Sequence, residues 1–252
     1  MENRNTDGTG NYAQHAQYWD WSGHDRTVEH DYWCGYAQKY GKNVLIPMCA
    51  WGDTGAHMAR RGFSVTAFDI TPEMIAEGKK RYGDVPGLRL YEGDVRDFHF
   101  GIPPVDFCFT MDFEVLRTMA DIQKALVCIH KHLRMGGCLV IKPYAPPEDT
   151  NSWPMQTYKP IKRMYPGIEV WKTSSGRNDA GTRRRYISQT FYIKDESGHV
   201  ESFDHSFCAQ CYTREEWLAA LSACGFAPAV KHGGKKPDTW YSGAHTIEAI
   251  KT

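Results

Sequence analysis

Asn43-Val-Leu-Ile-Pro-Met-Cys-Ala-Trp-Gly-Asp-Thr-Gly-Ala-His-Met-Ala-Arg-Arg-Gly-Phe-Ser-Val-Thr-Ala-Phe-Asp-Ile70 decides the fold. It reads as strand, tight loop, helix, strand. Val44, Leu45 and Ile46 form the short apolar run that a parallel strand buried on both faces requires. Pro47 has no N–H to donate, so ladder pairing ends there. Cys49, Ala50 and Gly52 keep the next turn small enough for backbone to approach a ligand. Ala56 to Arg61 continue as a helix, and Gly62 suits its C-terminal cap. Ser64 to Phe68 make a second buried strand with Asp69 at its carboxyl end, the edge where open parallel sheets bind ligands. An acid about twenty residues past a small-residue loop is placed to accept hydrogen bonds from both hydroxyls of a ribose.

Outward from this core, the chain alternates strands and helices. Thr71 and Pro72 open a helix as N-cap and first residue, and Gly83 stops it near Tyr82. Leu88 to Tyr91 is a third strand, followed by Gly93-Asp94-Val95-Arg96-Asp97-Phe98. Val105 to Met111 is a fourth, with Glu114 just past its carboxyl end as a candidate base or acceptor-binding group. A helix from about Ala120 to Leu133 carries Ile122, Ala125, Leu126, Ile129 and Leu133 at helical spacing, and Cys138 to Ile141 is a fifth strand. From Lys142 to about Gly181, Pro143, Pro146, Pro147, Pro154, Pro160 and Pro166 interrupt regular structure, so a long connection is expected at the active edge. Arg183 to Ile193 alternates and Val200 to Cys208 returns, which predicts a hairpin. A helix follows from about Tyr212 to Cys224, and a last strand runs from about Ala244 to Lys251.

Composition excludes several classes. The chain has 252 residues, 41% of them hydrophobic and 24% charged, as expected of one ordinary globular domain with an elaboration. Thirty basic residues balance thirty acidic ones, so no charge excess draws the chain to nucleic acid or an anionic membrane. No apolar run approaches the roughly 18 residues of a spanning helix. Met1–Gly10 lacks the apolar core of a secretory signal, and the eight cysteines are scattered through apolar segments; a cytoplasmic protein with reduced thiols is expected. His205, Cys208 and Cys211 lack the second ligand pair of a structural zinc site, and strand alternation would spread them over two faces, so no metal is expected.

Gly62-Phe-Ser-Val-Thr-Ala-Phe-Asp69-Ile-Thr-Pro-Glu-Met74 resembles the second strand of class I S-adenosylmethionine (SAM) methyltransferases, and the helix–Gly136-Gly137–strand run is similar to theirs. The resemblance covers Tyr12 to the C-terminus. It implies an α/β fold: a Rossmann-like sheet of seven strands with helices on both faces, the last strand inserted antiparallel at the edge, an N-terminal aromatic lid and a β-hairpin elaboration. Residues 1–11 then form a flexible N-terminus and 12–252 the methyltransferase domain, with the lid at 12–40 and an acceptor-site insertion and hairpin at 142–211. The lid Tyr12…Tyr18-Trp19…Asp25-Arg26-Thr27 resembles that of glycine N-methyltransferase, and the C-terminal half resembles aminosugar and glycine N-methyltransferases.

The resemblance also assigns roles. Tyr12 stands by the sulfonium, whose charge a tyrosine face attracts, and Arg26 pairs with the SAM carboxylate. Tyr18 lines the cofactor site. Asp69 and Ile70 flank the ribose, Asp94 and Val95 meet the adenine, and Met111 at the fourth-strand end is a cofactor contact, as are Met48, Cys49, Ala50 and Gly52 of the loop. In the loop Met48, Cys49, Ala50 and Gly52, the family's Glu and first two glycines are replaced by Ile46, Met48 and Ala50. The Pro-x-Cys opening resembles the thiopurine methyltransferase branch. Tyr144 and Arg185 are candidate acceptor contacts, and Arg183-Arg184-Arg185 could bind an acidic acceptor or be a solvated charge run. The implied reaction is methyl transfer from SAM to a small-molecule acceptor, with nitrogen the expected atom and a homo-oligomer possible. A side chain at Met48 would narrow the methionine end of the site. This leaves two alternatives: a SAM-using lyase or aminocarboxypropyl transferase, and a silent binding protein on the same fold.

Overall fold

A computed structural model describes residues 12–18, 26–110, 113–158, 167–231 and 246–252. Five strands run parallel: β1 (Asn43–Pro47), β2 (Ser64–Asp69), β3 (Leu88–Glu92), β4 (Val105–Thr110) and β5 (Leu133–Ile141). Four antiparallel strands make a second sheet: β6 (Asn151–Tyr158), β7 (Glu169–Asp179), β8 (Arg184–Lys194) and β9 (Val200–Gln210). The chain then returns through β10 (Phe226–Lys231) and β11 (Thr246–Lys251), completing a seven-stranded sheet of order β10-β11-β5-β4-β1-β2-β3. β11 is antiparallel to both β5 and β10, one place in from the edge rather than on it. Among the helices are α1 (Tyr12–His15), α2 (Thr27–Ala37), α3 (Asp53–Arg60), α4 (Pro72–Tyr82), α5 (Met119–His132) and α6 (Arg214–Ala223).

Side-chain alternation along buried strands divides the core. Val44, Ile46, Val65, Ala67, Phe107, Phe109, Cys138 and Val140 face one way, packing with Trp33 of α2 and Ala56 and Met58 of α3. Leu45, Phe68, Cys108, Leu139 and Ile141 face the other, packing with Ile122, Leu126 and Ile129 of α5 and Trp217 of α6. Trp33 stacks on Phe109 with ring centroids 4.1 Å apart. Each large side chain buried this way contributes about 1.5–3 kcal/mol. Polar side chains set the last two helix starts: Thr118 Oγ1 accepts the Asp121 N–H, and Thr213 and Glu216 form a reciprocal capping box.

Two strands differ from the sequence reading of the proline-rich connection, because β6 and β7 lie within 142–181. Pro154 is accommodated in β6 because that strand is the sheet's edge and its register shifts between Trp153 and Gln156. β10 was also unexpected: Pro228 interrupts an otherwise apolar run, and only pairing with β11 defines it as a strand. The alternation in the hairpin is kept. Phe203, His205, Phe207 and Ala209 of β9 stand opposite Phe191, Gln189, Ile187 and Arg185 of β8. This second sheet has a small core of its own, Val170 and Phe191, with Tyr18, Tyr158, Ile193 and Phe203 packed around it.

Candidate active site

The β1–α3 loop leaves the sheet at its carboxyl edge through backbone that glycine ordinarily supplies. Met48 has φ 56°, Ala50 φ 50° and Gly52 φ 77°. A residue with a Cβ costs roughly 1–2 kcal/mol in this left-handed region. The two positions that lack the family's glycines therefore keep a glycine-like path. At Gly52 the glycine is required, because a Cβ would lie 2.6 Å from Leu90 Cδ2. The loop is tied down by its own backbone. The Cys49 N–H donates to Phe68 O at 3.0 Å, the Gly52 N–H to Cys49 O at 2.9 Å, and the Ala50 N–H to Asp69 Oδ2 at 2.9 Å. The Met48 side chain packs against the α5–α6 core. The half-buried Cys49 thiol is pushed well up by burial, with Asp69 and Asp53 adding to the effect.

Asp69 organises this edge. Besides Ala50, it accepts the Thr71 N–H on Oδ1 at 3.0 Å, and the Gly93 N–H donates to its carbonyl at 2.9 Å. One carboxylate thus fixes the loop, the start of α4 and the end of β3. Burial pushes its carboxyl above the usual range, and the N–H donors only partly offset this. Ile70 beside it is an exposed apolar side chain, 57% accessible. Asp94 is more open. It takes a two-pronged ion pair from Arg96, with Nη2 at 2.6 Å from Oδ2, and accepts the Arg96 N–H at 2.8 Å. Burial acts to raise its carboxyl, but Arg96 outweighs it and the net shift is down. Val95 is buried in the core.

The lid is pinned by the residues on either side of Gly52. Trp51 Nε1 donates to Ala16 O at 2.5 Å, and Asp53 Oδ2 accepts Arg26 Nη1 at 2.5 Å. Arg26 also grips Glu29 through Nη2 at 3.0 Å, and His30 Nε2 lies 3.5 Å from the same Asp53 oxygen. Burial would raise the Asp53 carboxyl, but Arg26 and His30 hold it below its usual value. So the arginine expected to meet a ligand carboxylate already serves two protein carboxylates. A guanidinium carries five donors and can serve more than one anion. Trp51 and Asp53 carry no motif, and a single sequence gives no sign of their pairing with residues 35 and 27 positions earlier.

Tyr12 joins two regions. It packs against the cluster of Ala16, Ala50, Trp51 and Met74, and its ring meets His205 of β9 edge to face, with centroids 4.8 Å apart. Tyr18 lies by the second sheet instead of the loop, stacked 6.5 Å from Phe203, and burial raises its hydroxyl pKa. Glu114, 1% exposed, sits in the 3-10 turn Phe113–Leu116 beyond β4 and accepts the Tyr144 N–H at 2.5 Å. The Arg185 guanidinium stands over the Tyr144 ring, 5.2 Å from its centroid. The structure therefore brings Glu114, Tyr144 and Arg185 together. The arginine triplet is split: Arg183 pairs with Glu216 at 2.8 Å, and Arg184 donates to Gln210. Met111 lies outside the described residues, as do Trp19, Asp25 and residues 1–11.

His205 was read from sequence only as a rejected metal ligand, and the structure places it instead against Tyr12. Among the described residues no three His, Cys, Asp or Glu side chains gather as a metal site. No described helix is long and apolar enough to cross a membrane. A cleft of about 590 Å³ opens between the lid, α4 and β9, lined by Tyr18, Glu73, Glu77, Lys80, Glu201 and Phe203. It shares no lining residue with the Asp69 edge.

Comparisons agree with this geometry. Residues 44–137 match the family model described as a methyltransferase domain. The chain is 23% identical over 195 residues, 76% of its length and 78% of the relative's, to a dTDP-3-amino-3,4,6-trideoxy-alpha-D-glucopyranose N,N-dimethyltransferase of Streptomyces venezuelae. In fold it is similar to the sugar N-methyltransferase KedS8 from Streptoalloteichus, with a TM-score of 0.78, 19% identity, and 100% of this chain and 97% of that one covered. It is also similar to the SAM-bound amino pentose methyltransferase CalS10 from Micromonospora echinaspora, with a TM-score of 0.72, 24% identity, and 94% and 95% covered.

Proposed function

We propose that this chain, which is a SAM-dependent methyltransferase of class I fold, methylates the amino nitrogen of a small sugar-like acceptor. The carrying observation is the second sheet. It is inserted between β5 and α6, and its polar and aromatic face meets Tyr12 and Tyr144 next to the donor edge. Sugar N-methyltransferases share the fold over nearly the whole chain, insertion included.

The residues present fit SAM. The left-handed path through Met48, Ala50 and Gly52 keeps backbone low at the strand end, where a nucleoside needs room. Each Asp69 oxygen takes one N–H in the structure, and a carboxylate oxygen has two lone-pair sites, so ribose hydroxyls can bind beside the existing donors. Ile70 offers an apolar edge, and Asp94 with the Val95 N–H would meet the adenine. Arg26 would hold the carboxylate while keeping Asp53. When bound, SAM supplies an electrophilic methyl on a sulfonium. The chain's own work is alignment and exclusion of water. The pinned lid covers the donor, Tyr12 places its ring where the sulfonium charge would lie, and Glu114 with Arg185 orients the acceptor by hydrogen bonds. An amine needs no strong base in the transition state.

The test is mass spectrometry of enzyme, SAM and a dTDP-linked amino sugar. S-adenosylhomocysteine with an acceptor heavier by one or two methyl substitutions supports the reading. Stoichiometric methylthioadenosine would overturn it in favour of attack at a different sulfonium carbon, and failure to bind SAM at all would mean a silent protein.

A further inference from the structure

We infer that His205 is a catalytic residue: it takes the proton that an acceptor ammonium must lose before its nitrogen can be methylated. The inference rests on the amine reading above. At neutral pH an aliphatic amine is mostly protonated, like the lysine side chain, and then has no lone pair to offer. Where water is excluded from the reacting centre, a protein group has to accept the proton. The group must be near the methyl and must exchange protons near neutral pH, which an imidazole does.

His205 meets the first condition by position and the second by residue type. It is 2% exposed and its ring lies against Tyr12, which also packs against the cluster of Ala16, Ala50, Trp51 and Met74 beside the β1–α3 loop. It is therefore one aromatic ring away from the donor edge while belonging to the acceptor sheet. Register sets it in a polar rung, with Gln189 opposite on β8, Ser174 beyond on β7 and Gln156 on β6. Phe203–Phe191 flanks this rung on one side and Phe207–Ile187 on the other. Such a rung gives hydrogen-bonding groups for hydroxyls between apolar rows, and its end nearest the donor is the imidazole. Four neighbours bring ionisable groups to β9, the first being the turn Ala16–Tyr18, which sets Tyr18 against Phe203. α1 brings Tyr12, the 3-10 turn brings Glu114, and β8 brings Arg185 one rung past Ile187. Lys172 stands one rung the other way on β7.

The step balances. R–NH3+ gives one N–H proton to an imidazole nitrogen of His205, leaving R–NH2 and imidazolium. The freed lone pair forms the N–C bond to the methyl as the C–S bond breaks, its electron pair staying on sulfur. The product is a methylated ammonium, and the imidazolium returns its proton to solvent when the site opens.

The experiment measures kcat and kcat/KM from pH 5.5 to 9.5 with a dTDP-linked 3-amino sugar, for wild type, His205→Gln and His205→Ala, with SAM affinity by calorimetry as the control for folding. We expect SAM affinity within about twofold of wild type and kcat near pH 7 lower by roughly a hundredfold. In both variants the rate should keep climbing with pH toward the ionisation of the free amine, and added imidazole should restore part of the His205→Ala rate. Turnover by wild type with an unchanged pH profile in both variants overturns the inference alone. Methyl transfer by wild type to oxygen or carbon acceptors, with none to amines, overturns the amine reading and this inference with it.

Discussion

The two sheets make an instructive pair. The donor edge of the seven-stranded sheet is held by backbone: three loop N–H groups, two of them outside any side-chain choice, and one buried carboxylate that ties loop, helix and neighbouring strand together. It rests on cores that fill both faces of the sheet. The four-stranded sheet has only a small cluster of its own around Val170 and Phe191 and presents side chains from rungs of opposite strands. A site made of backbone can bind one ligand in many sequences, because few side chains alter it. A site made of rungs changes specificity with each substitution. This explains why the donor is identifiable while the acceptor is a matter of proposal.

The strongest way to break the contrast is Asp69→Ala. It orphans the Ala50 and Thr71 N–H groups, on the order of 1–3 kcal/mol each, and removes the proposed ribose acceptor. We expect a lower melting temperature and SAM binding weaker by about tenfold or more, read by calorimetry. A folded variant with unchanged SAM affinity would take Asp69 out of the site. No substitution of one rung residue on the second sheet should weaken SAM as much.

Next comes Arg26→Met. The expected result is SAM weakened by about tenfold and methylthioadenosine, which has no carboxylate, weakened far less. Equal weakening would assign Arg26 to lid support through Asp53 only. The same variant tests a pH effect. The folded Asp53 carboxyl is held below its unfolded value, so its stabilisation is present above about pH 4 and lost as pH falls through the depressed value. Without Arg26, acid unfolding should begin at higher pH. Asp69 works in the opposite sense. Its folded carboxyl is raised, so its ionisation takes stability away as pH rises from about 4 through that raised value.

On the second sheet the corresponding group is Lys172, 6% exposed, whose ammonium is brought down to about 7 by burial beside Phe191 and Tyr158. The unfolded chain binds this proton up to about pH 10, so stability should rise with pH from about 7 to 10. Lys172→Met should flatten that rise, measured by urea unfolding at pH 7 and 9.5. A slope unchanged by the substitution would mean that the ammonium stays protonated in the sheet.

The smallest effect sharpens the donor side. Met48→Gly and Ala50→Gly exchange left-handed strain for backbone entropy, so each should shift stability by no more than about 1 kcal/mol. SAM affinity should stay within a few-fold, because the loop path is already glycine-like. A tenfold gain in SAM affinity for Met48→Gly would show that the methionine side chain does crowd the donor.

The legible parts of the molecule were those written in local pattern. Val44–Ile46, Ser64–Asp69 and the α5 spacing carry their own periodicity, and Asp69 follows from its place at a strand end. The structure puts these elements where the pattern had them. What could not be read depends on contacts between distant segments. Trp153-Pro154-Met155 looks like broken chain until β7 lies beside it. Phe226–Lys231 becomes a strand only against β11. The lid's anchors, Trp51 to Ala16 and Asp53 to Arg26, join polar and aromatic residues that would suit any surface. His205 showed only that it was a poor metal ligand. Its position is visible only through its ring contact with Tyr12, far away in sequence.

The insertion of β11 between β5 and β10 carries a consequence for synthesis. Chains fold in the order in which they emerge, N-terminal parts first. Here residues 246–251 join the main sheet, pairing with β5 on one side and, on the other, giving β10 its only partner among the described residues. A ribosome that has made the donor edge, the lid and the whole second sheet still holds a protein with an open slot beside β5. During that interval the edge of β5 is an unpaired template for any passing strand. The nascent chain therefore keeps an unpaired β5 edge until residues 246–251 emerge, and a chain truncated before them should give insoluble protein.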